Sequence, residues 1–248
     1  MKKIALITGS SRGIGAATAL RLAADGYDIC INYVKNQQEA ESILAKVIAA
    51  GVNAIAIKAD VSQEDEVVKL FEQIDSELGS LTALVNNAGI LLPQMRLEQM
   101  TADRINNLFS TNVTSYFLCC RAAIKRMSTN HGGDGGAIVN VSSAAARLGS
   151  AGEYIDYAAT KGAIDTLTIG LSQEIAAEGI RVNGVHPGFI DTQMHADGGE
   201  PNRIERVKKQ IPLQRGGKAE EVAAAIAWLL SNQASYSTGT TIDVAGGR

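Results

Sequence analysis

Ile4-Ala5-Leu6-Ile7-Thr8-Gly9-Ser10-Ser11-Arg12-Gly13-Ile14-Gly15 is a short apolar run that stops on a glycine-rich turn. The run has the length and composition of a buried strand. A helical pattern follows through Ala24, and Gly26 stands where a helix C-terminal cap belongs. A strand, a Gly-rich turn and a helix in that order make an anion site. The glycines let backbone approach a pyrophosphate, and the helix N-terminus meets its charge.

The same alternation repeats outward from this unit. Strands are predicted at Asp28 to Tyr33, Ala54 to Lys58, Ala83 to Asn86, Ala137 to Val141, Arg181 to Val185 and Thr240 to Val244. Asn36 with Glu39, and Ser62 with Asp65, have the spacing of helix N-terminal caps. Apolar stripes follow both, and Gly51 and Gly79 stop them. Thr101 to about Met127 and Tyr154 to Ala177 read as long helices, and Glu220 to Leu230 as a shorter one. Residues 191–217 are polar and irregular in pattern, too long for an ordinary connection, and suggest a lid over a site. Strands alternating with helices predict an α/β fold, a doubly wound parallel sheet of the Rossmann type with about seven strands. One domain spanning residues 1–248 is expected, with ligands at the carboxyl ends of the strands.

Bulk properties narrow the function. The chain has 248 residues, is 46% hydrophobic and carries a net charge of −3 with both signs interspersed. Nothing in this pattern suggests a nucleic-acid partner or an anionic membrane surface, which would need a basic patch. Cys30, Cys119 and Cys120 are odd in number and two are adjacent, which argues against a disulfide framework and for a reducing compartment. No Cys/His spacing reads as a metal site. Met1-Lys2-Lys3 runs straight into the first strand without a signal-peptide pattern, and no apolar run spans a bilayer. A cytoplasmic protein is the expectation.

Tyr157-Ala158-Ala159-Thr160-Lys161 places a phenol and an ammonium four apart on one helix face. A phenol titrates near about 10, and a nearby ammonium favours the phenolate, so the pair suits proton transfer at a carbonyl or alcohol oxygen. Tyr154 is a rival, but its partner four residues on is Ala158. Val139-Asn140-Val141-Ser142-Ser143 brings hydroxyls to a strand's carboxyl end. Asn86-Asn87-Ala88-Gly89 can tie down backbone and leave room for a cofactor ribose. The second strand ends Ile31-Asn32-Tyr33-Val34-Lys35 with no acid to bind a ribose 2′-hydroxyl, and Arg12 lies in the Gly-rich turn. This favours a 2′-phosphate, hence NADP(H), with NAD(H) as the alternative.

In combination these elements resemble the short-chain dehydrogenase/reductase superfamily, in its compact single-domain branch, across essentially the whole chain. Thr-Gly-x-x-x-Gly-x-Gly matches Thr8, Gly9, Gly13 and Gly15. The Asn-Asn-Ala-Gly element, Asn112 in Thr111-Asn112-Val113, Ser143, the Tyr157/Lys161 pair and Pro187-Gly188 with Thr192 follow in order. The resemblance implies a carbonyl/secondary-alcohol oxidoreductase with Asn112, Ser143, Tyr157 and Lys161 as catalytic residues. Tyr157 is then the acid/base, Ser143 holds the substrate oxygen, and Asn112 supports a water that links Lys161 to solvent. It implies cofactor contacts at Gly9, Ser11, Arg12, Gly13, Ile14, Gly15, Asn32, Tyr33, Lys35, Asp60, Val61, Asn87, Ala88, Gly89, Tyr157, Lys161, Pro187, Gly188, Ile190 and Thr192, and no metal.

Family members nearest in pattern are glucose 1-dehydrogenase-like or 3-oxoacyl-carrier-protein reductase-like. The partner is therefore a small carbonyl or alcohol substrate: a sugar, polyol, small ketone or 3-oxoacyl chain. An acidic carrier protein would need a basic surface, for which Arg121, Lys125, Arg126, Arg203, Arg206, Lys208 and Lys209 are candidates. Arg147, Glu153, Tyr154, Met194 and His195 are candidates for the pocket, with His195 expected as an exposed loop residue. Ser143 and Tyr157 lie fourteen positions apart, long for this family. That spacing predicts a small insertion in the Leu148-to-Tyr154 loop, beside the substrate. The two long apolar helices and the family pattern predict a homotetramer, with a dimer as the alternative. A non-catalytic nucleotide-sensing relative is the alternative of a different class.

Overall fold

The computed structural model describes residues 2–248. Its strands are β1 (Ile4–Ile7), β2 (Asp28–Tyr33), β3 (Ala54–Lys58), β4 (Ala83–Asn86), β5 (Gly136–Val141), β6 (Ile180–Pro187) and β7 (Thr241–Val244). They form one seven-stranded sheet in the order β3-β2-β1-β4-β5-β6-β7, with parallel pairing throughout. The helices are α1 (Gly13–Ala24), α2 (Gln37–Ala49), α3 (Glu64–Glu77), α4 (Ala102–Phe109), α5 (Ser115–Met127), α6 (Ala145–Leu148), α7 (Ile155–Glu174), α8 (Met194–Asp197), α9 (Arg203–Val207) and α10 (Ala219–Leu230).

Successive strand residues point to opposite faces, so one strand feeds two cores. Ala5 and Ile7 join Ile29, Ile31, Val85 and Val139 beneath α1, α2 and α10. Ile4 and Leu6 join Cys30, Leu84, Ile138 and Val182 beneath α3, α5 and α7. Burial on both faces is why β1 and β2 are apolar along their whole length rather than alternating. After β3 the chain returns past β1 to begin β4. That reversal opens a crevice at the carboxyl ends of β1 and β4.

Local details depart from the sequence reading where a side chain finds a better partner. Ser62 does not cap α3. Its N–H and hydroxyl both donate to Asp60 Oδ1, at 3.0 and 2.8 Å, and the helix begins after Gln63. Asn36 does not cap α2 with its side chain; the amide donates to Glu39 at 2.9 Å. The long helix over 101–127 contains a π-turn at Ser110–Thr114, between α4 and α5. The stretch 191–217 is not irregular. It carries α8, α9 and a 3₁₀ turn at Lys208–Gln210. Its base is pinched by a parallel bridge between Ile190 and Gly217, where Asp191 N donates to Gly217 O at 2.9 Å. Such a loop with adjoining ends is a compact unit of its own.

Candidate active site

The Gly-rich turn is built for close approach. Gly9 and Gly13 have φ of +62° and +56°, values that favour glycine. The first turn of α1 carries no acidic residue and no side-chain cap, so its amides are left for an anion. A Cβ on Gly13 would stand 3.5 Å from Thr192, which brings the start of the 191–217 loop over the turn. Thr8 joins two strand ends: its Oγ1 accepts from the N–H groups of Asn87 and Ala88, both at 2.9 Å. The Asn87 amide returns the link by donating to the Thr8 and Gly9 carbonyls at 2.9 and 3.1 Å. This cradle fits the pyrophosphate of a dinucleotide.

The other predicted cofactor contacts divide by what their side chains already do. Val61 and Ile190 are buried at the same edge, where they can wall an apolar ring. Ser11, Arg12 and Ile14 are half-buried in the turn, and Gly89 lies beside Asn112 and Lys161. Pro187 ends β6, and Gly188 N donates to Val244 O at 3.0 Å. Asn32 is buried and spent inside the protein. It accepts from Gly9 N at 3.2 Å and donates to Ala59 O at 2.9 Å. Tyr33 belongs to the core under α1 and α2. Asp60 holds Ser62, and Lys35 is exposed. Arg12 pairs with Asp197 of α8, with both side chains substantially exposed.

The four predicted catalytic residues converge from three elements. β5 leads to Ser142 and Ser143. Ser142 is buried and donates to the Lys161 carbonyl at 3.0 Å, which ties β5 to α7. Ser143 lines the cavity and accepts from Ala145 N at 3.1 Å. Tyr157 and Lys161 stand one turn apart on α7, and Lys161 Nζ lies 5.6 Å from the Tyr157 ring centre. Asp156 fixes the start of that helix. It accepts from Tyr157 N at 2.9 Å and pairs with the buried Arg104 of α4 at 2.7 Å. Asn112 sits in the π-turn with its side chain fully engaged. Its Oδ1 accepts from Ile90 N at 2.8 Å and its amide donates to Ile90 O at 3.0 Å. A π-turn breaks the regular bonding ladder, a common device at functional sites.

The electrostatics differ from the simple expectation that Lys161 lowers the phenol. Burial pushes Tyr157 up to about 12, with Ser143 offsetting part of the effect. Burial also pulls Lys161 down to about 7, with Asp165 opposing. Lys161 Nζ donates to the Val141 carbonyl at 2.8 Å rather than to the phenol. Desolvation disfavours both charged forms and outweighs their mutual attraction. Tyr157 therefore keeps its proton at neutral pH and stands as a proton donor.

The cavity beside Tyr157 and Ser143 is mostly apolar. Leu91, Leu148, Phe189 and Met194 line it, with Tyr154, His195, Arg203 and Arg248. Tyr154 is buried, and its hydroxyl donates to Gly198 O at 3.1 Å, so it braces the 191–217 loop. The loop after Leu148 does border the cavity, through Ser150 and Tyr154. It turns through left-handed backbone at Gly149, Ser150 and Gly152.

His195 is not an exposed loop residue. It sits on α8 against the cavity, and both ring nitrogens are buried without a hydrogen-bond partner among the described residues. Desolvation and then Arg203 lower its pKa. Arg203, a candidate for a basic surface, is instead 7% exposed. It lies over the rings of Tyr154 and Phe189 at 4.7 and 5.3 Å. Glu153 lies outside the cavity lining and pairs with Arg203 and Arg206, at 2.5 and 2.9 Å. Arg147 is exposed and pairs with Asp243 at 2.9 Å.

Sequence reasoning passed over Leu91 and Phe189, although each follows a recognised motif closely. Nothing in the sequence marked Arg203 or Arg248 as cavity residues.

Comparisons with known proteins show the family. A family model described as enoyl-(acyl carrier protein) reductase matches residues 9–248. The chain is 62% identical over 245 residues to an uncharacterized oxidoreductase of Escherichia coli, YgfF, covering 99% of each protein. It is 39% identical over 247 residues to the 3-oxoacyl-[acyl-carrier-protein] reductase FabG of Staphylococcus aureus, covering 100% of this chain and 98% of that one. Among solved structures, a short chain dehydrogenase of Burkholderia cenocepacia in complex with NADP superposes with a TM-score of 0.91 at 36% identity. That match covers 99% of this chain and 97% of the other.

Proposed function

Since the chain belongs to the short-chain dehydrogenase/reductase superfamily, whose NAD(P)(H)-dependent enzymes interconvert carbonyl and alcohol, we propose an NADP(H)-preferring reductase of small, largely apolar carbonyl compounds. The observation that carries this reading is the cavity. It joins a protonated Tyr157 and Ser143 to apolar walls at the mouth of a pyrophosphate cradle.

A nicotinamide cofactor held at the Gly-rich turn would supply the hydride chemistry at the substrate carbon. Ser143 holds the carbonyl oxygen by a hydrogen bond that strengthens as negative charge develops there. Tyr157 gives its proton to that oxygen in reduction and takes it back in oxidation. Lys161, once cationic, stabilises the phenolate that remains. The 191–217 loop excludes water, held by Tyr154 to Gly198, Glu153 to Arg203 and Gln94 to Glu200.

The absence of a carboxylate at the end of β2, with Arg12 in the turn, supports the NADP(H) preference. The pair of Arg12 with Asp197 is exposed, so it is a weak competitor for a phosphate. Arg12→Ala should weaken NADPH binding about 10- to 100-fold, the worth of a charge-assisted hydrogen bond. NADH affinity should change little. Equal losses for the two cofactors in a fluorescence titration would count against a 2′-phosphate site.

Charge gives docking of an acidic carrier protein mixed support: Arg121, Arg126, Arg206 and Lys208 pair with Glu64, Asp75, Glu200 and Glu205 and Arg203 is buried, while Lys125 and Lys209 are exposed and stand outside those pairs. Exposed Phe117 on α5 and Ile169 on α7 support a homotetramer assembled on those helices. Three buried free cysteines suit a reducing, cytoplasmic setting. No helix among the described residues is long and apolar enough to cross a membrane.

The decisive experiment is a screen of NADPH and NADH oxidation with simple ketones, 3-oxoacyl thioesters and sugars, with the reverse reaction on alcohols. Turnover of ketones with NADPH supports the reading. Cofactor binding without turnover on any arm would make the chain a nucleotide sensor instead.

A further inference from the structure

The cavity beside Tyr157 and Ser143 has a one-sided charge. Lys161, Arg203 and Arg248 line it, and no aspartate or glutamate among the described residues does. A cleft with apolar walls and one sign of charge concentrates ligands of the opposite sign. Lys161 and Arg203 are already committed. Lys161 belongs to the catalytic pair, and its Nζ donates to the Val141 carbonyl at 2.8 Å. Arg203 is buried and pairs with Glu153 and Glu200 at 2.5 and 2.8 Å.

Arg248 differs from both. Among the described residues its guanidinium has one hydrogen-bond partner, the neutral Gln210 Oε1 at 3.3 Å, and no carboxylate. A guanidinium carries a planar fork of N–H donors, so most of them are left for a ligand. The group is nonetheless held in place. It lies 5.2 Å from the centre of the Phe189 ring, which also lines the cavity, and the Arg248 backbone oxygen accepts from Arg147 Nη2 at 3.3 Å. Other polar side chains nearby are spent or closed off. The Tyr154 hydroxyl donates to Gly198 O at 3.1 Å, and both ring nitrogens of His195 are buried. A fixed fork without a counter-charge, beside apolar walls, suits a carboxylate, whose oxygens accept parallel hydrogen bonds from it.

We propose that Arg248 is a specificity-determining residue and that the substrate is an oxo acid: Tyr157 and Ser143 receive its carbonyl, and Arg248 receives its carboxylate. This rests on the reductase reading above and narrows its substrates to carbonyl compounds that carry an acid group. The reaction keeps its balance. The hydride goes to the carbonyl carbon, the Tyr157 proton goes to the carbonyl oxygen, and the carboxylate passes unchanged into the hydroxy acid. A purely structural view makes Arg248 a clasp on Phe189 over a cavity for uncharged ketones. The two views differ in how the enzyme ranks an acid against its own ester.

The test compares kcat/KM with NADPH for a series of 2-oxo, 3-oxo, 4-oxo and 6-oxo acids, each beside its methyl ester. The series varies the reach between carbonyl and carboxylate. Wild type should prefer the acid by about tenfold or more for at least one member, the worth of a charge-assisted hydrogen bond. Arg248→Met keeps an unbranched apolar stem beside Phe189 and removes the charge. It should lower the acid-to-ester ratio about 10- to 100-fold, chiefly through KM, because the contact is the same before and during hydride transfer. Arg248→Lys keeps the charge without the fork and should retain part of the preference.

A wild-type ratio near one throughout the series overturns the proposal. So does a preference for the acid that survives in Arg248→Met, which would assign it to Arg203 or Lys161. Should Arg248→Met fail to fold, Arg248→Gln makes the same comparison. Turnover of ketones and esters with no preference for the acid sinks this inference alone. No turnover of any carbonyl compound sinks the reductase reading along with it.

Discussion

Replacing Tyr157 with phenylalanine lowers kcat by about two to four orders of magnitude, the usual worth of a positioned general acid, with little change in NADPH affinity. The phenol is the acidic group that lines the cavity next to Ser143 and keeps its proton at neutral pH. Without it, hydride addition would leave an alkoxide whose only hydrogen-bonding help comes from Ser143. The cofactor cradle at Gly9, Gly13 and Gly15 lies on another element and keeps its geometry. Ring burial is also preserved, since phenylalanine differs only by the hydroxyl. Steady-state turnover and a fluorescence titration of NADPH separate the two effects. Activity within about tenfold of wild type would remove Tyr157 from the acid/base role.

Gly15→Ala has an effect of similar size but opposite character, on binding and folding rather than on the chemical step. A Cβ at position 15 would stand 2.6 Å from the Gly9 carbonyl oxygen, 2.6 Å from Asn87 Nδ2 and 2.8 Å from the Ser10 Cα. Two of these are backbone atoms of the turn itself. The third is the amide that donates to the Thr8 and Gly9 carbonyls. None can yield without opening the turn or breaking the link between β1 and β4. Overpacking of this kind costs about 1–3 kcal/mol, so the thermal midpoint falls. The amides facing the pyrophosphate also move apart, and cofactor affinity should drop by more than about tenfold. A variant that melts and binds NADPH like wild type would show that the turn is not the rigid cradle described here.

Gly15 shows how much could be read without coordinates. The periodicities around Ile4–Ile7, Asp28–Tyr33 and Ala83–Asn86, punctuated by Gly9, Gly26, Gly51 and Gly79, specify strands, helices and their alternation. Backbone preferences act over a few residues and are written locally. Parallel pairing follows from that alternation, because a helix between two strands returns the chain to the same end of the sheet. The placement of Tyr157 and Lys161 on one helix face was legible for the same reason, since four residues make about one turn.

What stayed hidden depends on residues far apart in the chain. His195 and Arg203 lie in a polar stretch and look solvated. Only packing of α8 and α9 over Tyr154 and Phe189 turns them inward. Arg121, Arg126, Arg206 and Lys208 read as a run of free cations, but in the fold each lies beside a carboxylate. His186 lies between Asp165 and Asp243 only because β6 pairs with β7 and α7 crosses beside them. The fold and the pairing of Tyr157 with Lys161 on one helix face were therefore set by local sequence, where periodicity and turn chemistry act. The charge state of the site and the lining of its cavity were set by tertiary structure, because desolvation and ion pairing depend on which distant segments close around each group.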